Sequence, residues 1–220
     1  MERKVVTRVP NREVGVVNPR WLLDHDVEHE SHLEKRFIMV ALACPVVVDI
    51  VHQPLHIWLG PDETGKYTPD FLIRFRDGDE LIVEVKPDVF LEKNKERLVA
   101  AQREFLNQKK KYTVITDKHI DANGLAARAL LLMRYARMYF TDDMALECMQ
   151  LLKEQCAGDS KVSDLIALGV SESLIWNMVA KHQFRIPVGL NISPAETVSI
   201  NEMEGDCCDY FHTWFGAPQG

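Results

Sequence analysis

A tight turn between two short apolar stretches is the feature that most constrains what this chain can fold into. The dipeptide Asp77-Gly78 is a strong turn signal, and residues 71–75 and 81–85 on either side are rich in aromatic and β-branched side chains. Strands of this composition joined by such a turn form antiparallel hairpins. The sequence therefore predicts a hairpin centred on Asp77-Gly78.

Three ionisable residues stand at the ends of the two predicted strands. Asp70 precedes the first strand, and Glu84 and Lys86 close the second. Because side chains alternate along a strand, Glu84 and Lys86 lie on one face. Two carboxylates and an amine in this arrangement can hold a divalent cation and orient a water beside it. Asp70, Glu84 and Lys86 are therefore candidate catalytic residues, and a surface hairpin with ordinary charges is the alternative.

The register of the hairpin decides whether these side chains can meet. Residues paired across an antiparallel ladder share a face, and their numbers add to a constant. A two-residue turn at 77–78 would point Asp70 away from Glu84. A three-residue loop at 77–79 would set Asp70 opposite Lys86 and diagonal to Glu84. The proposed chemistry therefore predicts an odd-length loop, or a bulge that restores the shared face.

An amphipathic helix is predicted before the hairpin, within residues 24–43. Leu33, Phe37 and Ala41 recur at four-residue spacing, and Pro45 ends the pattern. Further along the chain, residues 46–51 and 55–59 are extended, residues 89–108 carry a helical pattern, and residues 112–116 are typical of a buried strand. Together with the hairpin, this gives the order αβββαβ and an α/β fold class.

Glu34 lies at the edge of the buried stripe of the first helix and is the third candidate acid, after Asp70 and Glu84. One alternative is that Ser31-x-x-Glu34 is a capping box, in which Glu34 reaches back to the amide of Ser31. Glu30 is then the fallback ligand.

A second alternative for this helix is a zinc site. His25, His29 and His32 precede or open the helical pattern, but they lack a cysteine partner.

Charge is distributed unevenly along the 220 residues, whose net charge is −7. Residues 1–120 carry 19 Lys and Arg against 20 Asp and Glu, and residues 121–220 carry 7 against 13. The second part is a poor electrostatic match for a phosphate backbone. The chain has no apolar run of membrane-spanning length, and its five cysteines form no CxxC pair, so we expect a reducing cytoplasm and no membrane partner.

The second part of the chain is predicted to be mainly helical. Helical patterns cover residues 122–139, 143–155, 160–168 and 171–182, with Ser171 as an N-cap. Extended segments follow at 183–188 and 196–200. Three helices followed by a small hairpin are typical of a winged-helix domain. Its last helix offers few base-reading side chains, among them Asn177 and Lys181, so protein docking is favoured over DNA reading.

Four motifs carry a resemblance to a known family. The hairpin, with its Pro-Asp and Glu-x-Lys elements, resembles the active site of the PD-(D/E)XK, restriction-endonuclease-like nucleases. The motifs Glu30-Ser-His-Leu-Glu34, Gln53-Pro54-Leu55, Tyr67-Thr-Pro-Asp70-Phe-Leu and Glu84-Val-Lys86-Pro87 together resemble TnsA, the endonuclease subunit of heteromeric cut-and-paste transposases. One departure is that the best-known member has Gln-x-Lys where this chain has Glu84-Val-Lys86.

The resemblance implies a specific reaction and a specific set of partners. The protein would nick the 5′ ends of a transposon in a bacterial cytoplasm, while an integrase-like subunit, TnsB, processes the 3′ ends and an ATPase regulator, TnsC, docks on the C-terminal part. Two Mg²⁺ ions, with Mn²⁺ as a substitute, would be held by Glu34, Asp70, Glu84 and the carbonyl of Val85. Lys86 would position the attacking water. The alternatives are a restriction or repair nuclease of the same fold, and a non-catalytic assembly subunit.

The residue patterns also divide the chain. They predict a nuclease domain over residues 1–120, a winged-helix-like docking domain over 121–201, and an acidic and aromatic tail over 202–220. Residues 1–20 form a basic arm that either contacts DNA or is a loose terminus. The tail either folds onto a partner, or Trp214 and Phe215 pack on the same chain.

Overall fold

The structure is a computed structural model that describes residues 14–59, 65–202 and 205–218. The chain divides into two compact units. The first unit consists of Met1–Ile38, Val47–Ala122 and Asp206–Gly220, and the second of Met39–Val46 and Asn123–Gly205. Most of the predicted basic arm, residues 1–13, lies outside the described residues.

The described residues form eleven strands and eight α-helices. The strands are β1 (Gly15–Val17), β2 (Val27–His29), β3 (Val47–His52), β4 (Ile57–Leu59), β5 (Gly65–Tyr67), β6 (Phe71–Phe75), β7 (Glu80–Lys86), β8 (Lys111–Thr116), β9 (Asp159–Lys161), β10 (Phe184–Arg185) and β11 (Thr197–Ile200). The helices are α1 (His32–Leu42), α2 (Leu91–Asn107), α3 (Asp117–Ile120), α4 (Leu125–Ala136), α5 (Asp142–Gln155), α6 (Val162–Ala167), α7 (Glu172–Ala180) and α8 (Cys207–Phe215).

A mixed four-stranded sheet is the centre of the first unit. Its strand order is β3-β6-β7-β8, with β3, β6 and β7 antiparallel and β8 parallel to β7. Helix α1 precedes β3, and α2 connects β7 to β8, as a parallel crossover requires. The order α1-β3-β6-β7-α2-β8 is the predicted αβββαβ series and is compatible with a nuclease-like core. Strands β4 and β5 form a separate hairpin between β3 and β6.

Helix α1 begins later than the sequence pattern indicated. The hydroxyl oxygen of Ser31 accepts a hydrogen bond from the amide of Glu34 at 3.1 Å, which is an N-cap contact. The residues before the helix form β2, which contains His29.

The alternative of a zinc site on this helix is wrong. His25 and His29 precede the helix, and Nε2 of His25 lies 2.6 Å from Oδ1 of Asp49.

The β6–β7 turn confirms that the loop has an odd length. The amide of Gly78 donates to the carbonyl of Phe75 at 3.0 Å, and the amide of Phe75 donates to the carbonyl of Asp79 at 2.9 Å. The loop is therefore residues 76–78, one position earlier than predicted. The ladder pairs Phe71 with Val83, so continuing its register sets Asp70 opposite Glu84 rather than opposite Lys86. The required shared face is kept.

We expect Gly78→Ala to destabilise the first unit by about 1–2 kcal/mol, because Gly78 has a φ of 91°, which costs an L-residue about that much. An added Cβ would meet no atom within 4 Å, so the cost is backbone strain and not a clash. Urea unfolding measures the effect, and Gly78→Asn serves as the control because Asn tolerates positive φ better. Equal stability of the wild type and the alanine variant would contradict the assigned turn.

The described part of the predicted tail is helix α8 of the first unit. Asp206 caps the helix by accepting from the amide of Asp209 at 2.9 Å, and Gly216 ends it in the left-handed conformation. The ring of Phe211 lies 5.4 Å from that of Phe75, and the ring of Phe215 lies 5.5 Å from that of Phe37. These contacts bear out the alternative in which the aromatic residues of the tail pack on the same chain, and α8 is part of the first unit.

The second unit contains the predicted helices and one strand that the sequence did not reveal. From α5 onward its order is α5-β9-α6-α7-β10-β11, and the three strands form an antiparallel sheet in the order β10-β11-β9. Ser171 caps α7, as predicted, by accepting from the amide of Leu174 at 3.2 Å. Strand β9 is three polar residues long, so it carries no apolar pattern.

No helix among the described residues is long and apolar enough to cross a membrane.

Candidate active site

Glu84 and Lys86 lie at the C-terminal end of β7, in the interior of the sheet. Both neighbouring strands pair with β7, and residue Glu84 is only 5% exposed. Its Oε1 lies 2.6 Å from Nζ of Lys86, and its Oε2 accepts a hydrogen bond from the hydroxyl of Tyr67 at 2.7 Å. The shared face predicted from alternation is therefore present, and both oxygens of Glu84 are engaged.

Asp70 lies just before β6, beside the end of β7. Its Oδ2 accepts a hydrogen bond from the amide of Val85 at 2.7 Å, which ties the start of one strand to the end of the other. Its Oδ1 makes no hydrogen bond with any residue that the structure describes. Although the residue as a whole is partly exposed, its carboxyl group lies below the surface. That burial, together with the negative charges of Glu84 and Glu34, raises the pKa of Asp70 well above its usual value.

Glu34 lies near these two carboxylates but is also engaged at the start of α1. Its Oε1 accepts from the hydroxyl of Ser31 at 2.8 Å, and its Oε2 accepts from the amide of Glu30 at 2.6 Å. The capping alternative is thus present, with the amide of Glu30 in place of that of Ser31. Burial raises the pKa of Glu34. Nε2 of His52, also buried, lies 3.9 Å from Oε2 of Glu34, which is too long for a hydrogen bond.

The fit of a divalent cation to these residues depends on the donor set. Within the described ranges, no three His, Cys, Asp or Glu side chains are grouped closely enough to hold a metal ion. The chemistry of the donors nevertheless suits Mg²⁺, which prefers carboxylate oxygens. Mutual repulsion among Asp70, Glu84 and Glu34 contributes to the raised pKa of Asp70, and a bound cation would relieve it. The residues therefore fit the ion chemically, and binding requires Glu34 and Glu84 to exchange some of their present contacts.

Two tyrosines belong to this site and were not assigned from the sequence. Tyr67 donates to Glu84, and its hydroxyl lies 2.9 Å from that of Tyr112. Tyr67 stands in the motif Tyr67-Thr-Pro-Asp70, which was a signal that could have been used. Tyr112 carries no such signal, because only the pairing of β7 with β8 brings it to the site.

The crowding of carboxylates also predicts how stability responds to pH. A raised pKa means that folded Asp70 holds its proton more tightly than the unfolded chain does, so metal-free protein loses stability as pH rises from about 4 through the raised pKa. Asp70→Asn removes this loss and keeps an oxygen for the amide of Val85. We expect the variant to be more stable than the wild type at pH 8, by a margin that shrinks as pH falls towards 5.

The measurement for this prediction is urea unfolding with EDTA at pH 5 and pH 8. Asp79→Asn is the matched control, since the side chain of Asp79 is 48% exposed and its ion partner is Lys111, at 2.7 Å. The control should show no gain. A wild type at least as stable as Asp70→Asn at pH 8 would contradict the electrostatic account of the site.

Comparison with known proteins identifies part of this unit. Residues 44–117, about a third of the chain, match the family described as TnsA-like endonuclease N terminal. The comparison with curated proteins finds no match. The matched segment runs from just before β3 to just after β8, so it contains Asp70, Glu84 and Lys86 but not Glu34 or most of the second unit. The match supports a TnsA-type endonuclease, to whose N-terminal domain the sheet carrying the candidate site is similar.

Proposed function

We propose that the protein is the DNA endonuclease subunit of a heteromeric cut-and-paste transposase, and that it nicks the 5′ ends of the transposon. The observation that supports this most is that Asp70, Glu84 and Lys86 lie close together at one end of the β6–β7 hairpin. All three are inside the segment that matches the TnsA-like endonuclease family. Buried carboxylates beside an amine are what metal-assisted phosphodiester hydrolysis needs. The restriction-endonuclease-like αβββαβ core agrees with this assignment.

The ion in this proposal is Mg²⁺, with Mn²⁺ as a substitute. Asp70, Glu84, Glu34 and the carbonyl of Val85 would hold two ions. When bound, such ions activate a water and neutralise charge on the phosphate and the leaving oxygen. Lys86 would position the attacking water and offset negative charge on the phosphate, a task for which its ion pair with Glu84 holds it ready.

The second unit is proposed as a winged-helix-like docking module. Its helix–strand order and its β10-β11-β9 sheet suit that assignment. Base reading needs exposed polar side chains, yet residues 174–180 of α7 are buried. The side-chain amide of Asn177 donates to the carbonyls of Tyr135 and Met138, at 2.7 and 3.1 Å, at the end of α4. A protein partner therefore suits this module better than DNA, and an ATPase regulator of the TnsC type is the proposed one.

Strand-specific nicking tests the proposed function. The full chain is incubated with Mg²⁺ and end-labelled DNA that carries a candidate transposon end, with and without TnsB-type and TnsC-type subunits. We expect nicks at the 5′ ends that depend on the partner subunits. Efficient cutting of arbitrary DNA by the chain alone would instead indicate a restriction or repair nuclease, and no cutting under any condition would indicate a non-catalytic assembly subunit.

A further inference from the structure

A chain of two tyrosine hydroxyls ends on the inner oxygen of Glu84. The hydroxyl of Tyr67 lies 2.7 Å from Oε2 of Glu84 and 2.9 Å from the hydroxyl of Tyr112. All three residues are buried, with exposed fractions of 2%, 5% and 6% for Tyr67, Glu84 and Tyr112. The other oxygen, Oε1, contacts Lys86. The two oxygens of Glu84 are therefore held by different partners.

The direction of the hydrogen bonds in this chain is fixed. The hydroxyl of Tyr67 donates to Oε2 of Glu84, because a carboxylate oxygen can only accept. A tyrosine hydroxyl has one proton to donate. Since Tyr67 uses its one proton in the hydrogen bond to Glu84, Tyr112 must donate to the oxygen of Tyr67. Hydrogen bonds to a carboxylate are strong, and a second bond in series polarises the first.

The ring of Tyr67 is held on several sides. It packs edge-on against Phe105, at 6.3 Å between ring centroids, and the guanidinium of Arg97 lies 5.4 Å over its face. Arg97 in turn donates to the carbonyl of Lys66 at 3.1 Å, and Tyr112 stacks on Phe105 at 5.3 Å. The hydroxyl that meets Glu84 is thus attached to a ring with little freedom to move.

We propose that Tyr67, supported by Tyr112, is a positioning residue that holds Oε2 of Glu84, so that the carboxylate presents Oε1 to Lys86 and to a divalent cation. The proposal rests on the metal-binding part of the proposed function. Partners of this kind fix the orientation of a ligating carboxylate, and their loss weakens metal binding about 10–100-fold.

A purely structural role for the Tyr67 hydroxyl would have a different consequence. Loss of the hydroxyl would then lower the melting temperature without changing metal affinity in protein that is still folded. The two roles are separated by measuring Mn²⁺ affinity directly, without DNA and without turnover.

The test is an Mn²⁺ titration of the full chain followed by electron paramagnetic resonance. For Tyr67→Phe we expect the dissociation constant to rise about 10-fold or more, and for Tyr112→Phe we expect a smaller rise. Tyr210→Phe is the matched control, because it makes the same chemical change in α8, away from Glu84, and it should bind Mn²⁺ as the wild type does. In a Glu84→Gln background, Tyr67→Phe should cause no further loss.

Each outcome decides a specific point. If Tyr67→Phe binds Mn²⁺ as tightly as Tyr210→Phe does, the positioning role is overturned while the metal site stands. The same holds if Tyr67→Phe weakens Mn²⁺ binding by the same factor in the Glu84→Gln background as in the wild type. If the wild type binds no Mn²⁺, the metal site itself is overturned, and the positioning role with it. Should Tyr67→Phe fail to fold, Tyr112→Phe carries the test, and an unchanged affinity there overturns the proposal.

Discussion

Asp70→Asn is expected to lower the rate of DNA strand cleavage by at least about 1,000-fold, the scale on which catalysis depends on charge stabilisation at the reacting phosphate. The change is nearly isosteric, and the new amide oxygen can still accept from the amide of Val85. What disappears is the negative charge and Oδ1 as an anionic oxygen. The fold should therefore persist while the ability to hold a cation beside Glu84 is lost.

Cleavage of end-labelled DNA at saturating Mg²⁺ measures this effect, together with DNA binding in Ca²⁺ to show that substrate binding survives. Asp79→Asn makes the same chemical change at the other end of the hairpin, where the carboxylate contacts Lys111, and should cut at nearly the wild-type rate. An Asp70→Asn variant that cuts as fast as this control would remove Asp70 from the site.

Phe211→Ala should destabilise the first unit by about 3–5 kcal/mol, the usual cost of emptying a buried aromatic site. Phe211 is fully buried, and its ring lies 4.8 Å from that of Phe215 and 5.4 Å from that of Phe75. Because Phe75 is the last residue of β6, α8 directly supports the hairpin that carries the candidate site. A loss of this size would make the C-terminal helix indispensable to the nuclease-like core.

Urea unfolding followed by far-ultraviolet circular dichroism measures this loss. Thr213→Ala is the matched control in the same helix. Thr213 is exposed, and its hydroxyl donates only to the carbonyl of Asp209, so its loss should be within about 0.5 kcal/mol. A Phe211→Ala variant as stable as this control would contradict the packing of α8 against the aromatic core of the first unit.

The hairpin could be predicted from the sequence because its information is local. Asp77-Gly78 determines the turn, and alternation along β7 places Glu84 and Lys86 together. The need for Asp70 on the same face then required an odd loop, which the structure has. The exact loop was predicted one residue late because Gly78, with positive φ, is the last residue of the loop at 76–78 and not the middle residue of a loop at 77–79.

Other features depend on contacts that local patterns do not carry. Tyr112 joins the site only through the parallel pairing of β8 with β7. Strand β9 is polar and exists because β11 pairs with it. Helix α8, by contrast, does have local signals, since Asp206 as an N-cap and Gly216 as a C-cap can be read from the sequence. The acidic composition around it obscured those signals.

Anomalous diffraction from crystals grown with Mn²⁺ shows whether Asp70 and Glu84 bind a cation together, because the carboxylates are not grouped as a metal centre among the described residues. We expect Mn²⁺ bound by Oδ1 of Asp70 and by Glu84, at about 2.1 Å as for similar oxygen-ligated ions. We also expect that the hydroxyl of Tyr67 stays on Oε2 of Glu84 and that the anomalous peak is absent in Asp70→Asn. Crystals with no ion on Asp70 and Glu84, from a protein that cuts DNA in the same Mn²⁺, would show that these two carboxylates do not form the metal site.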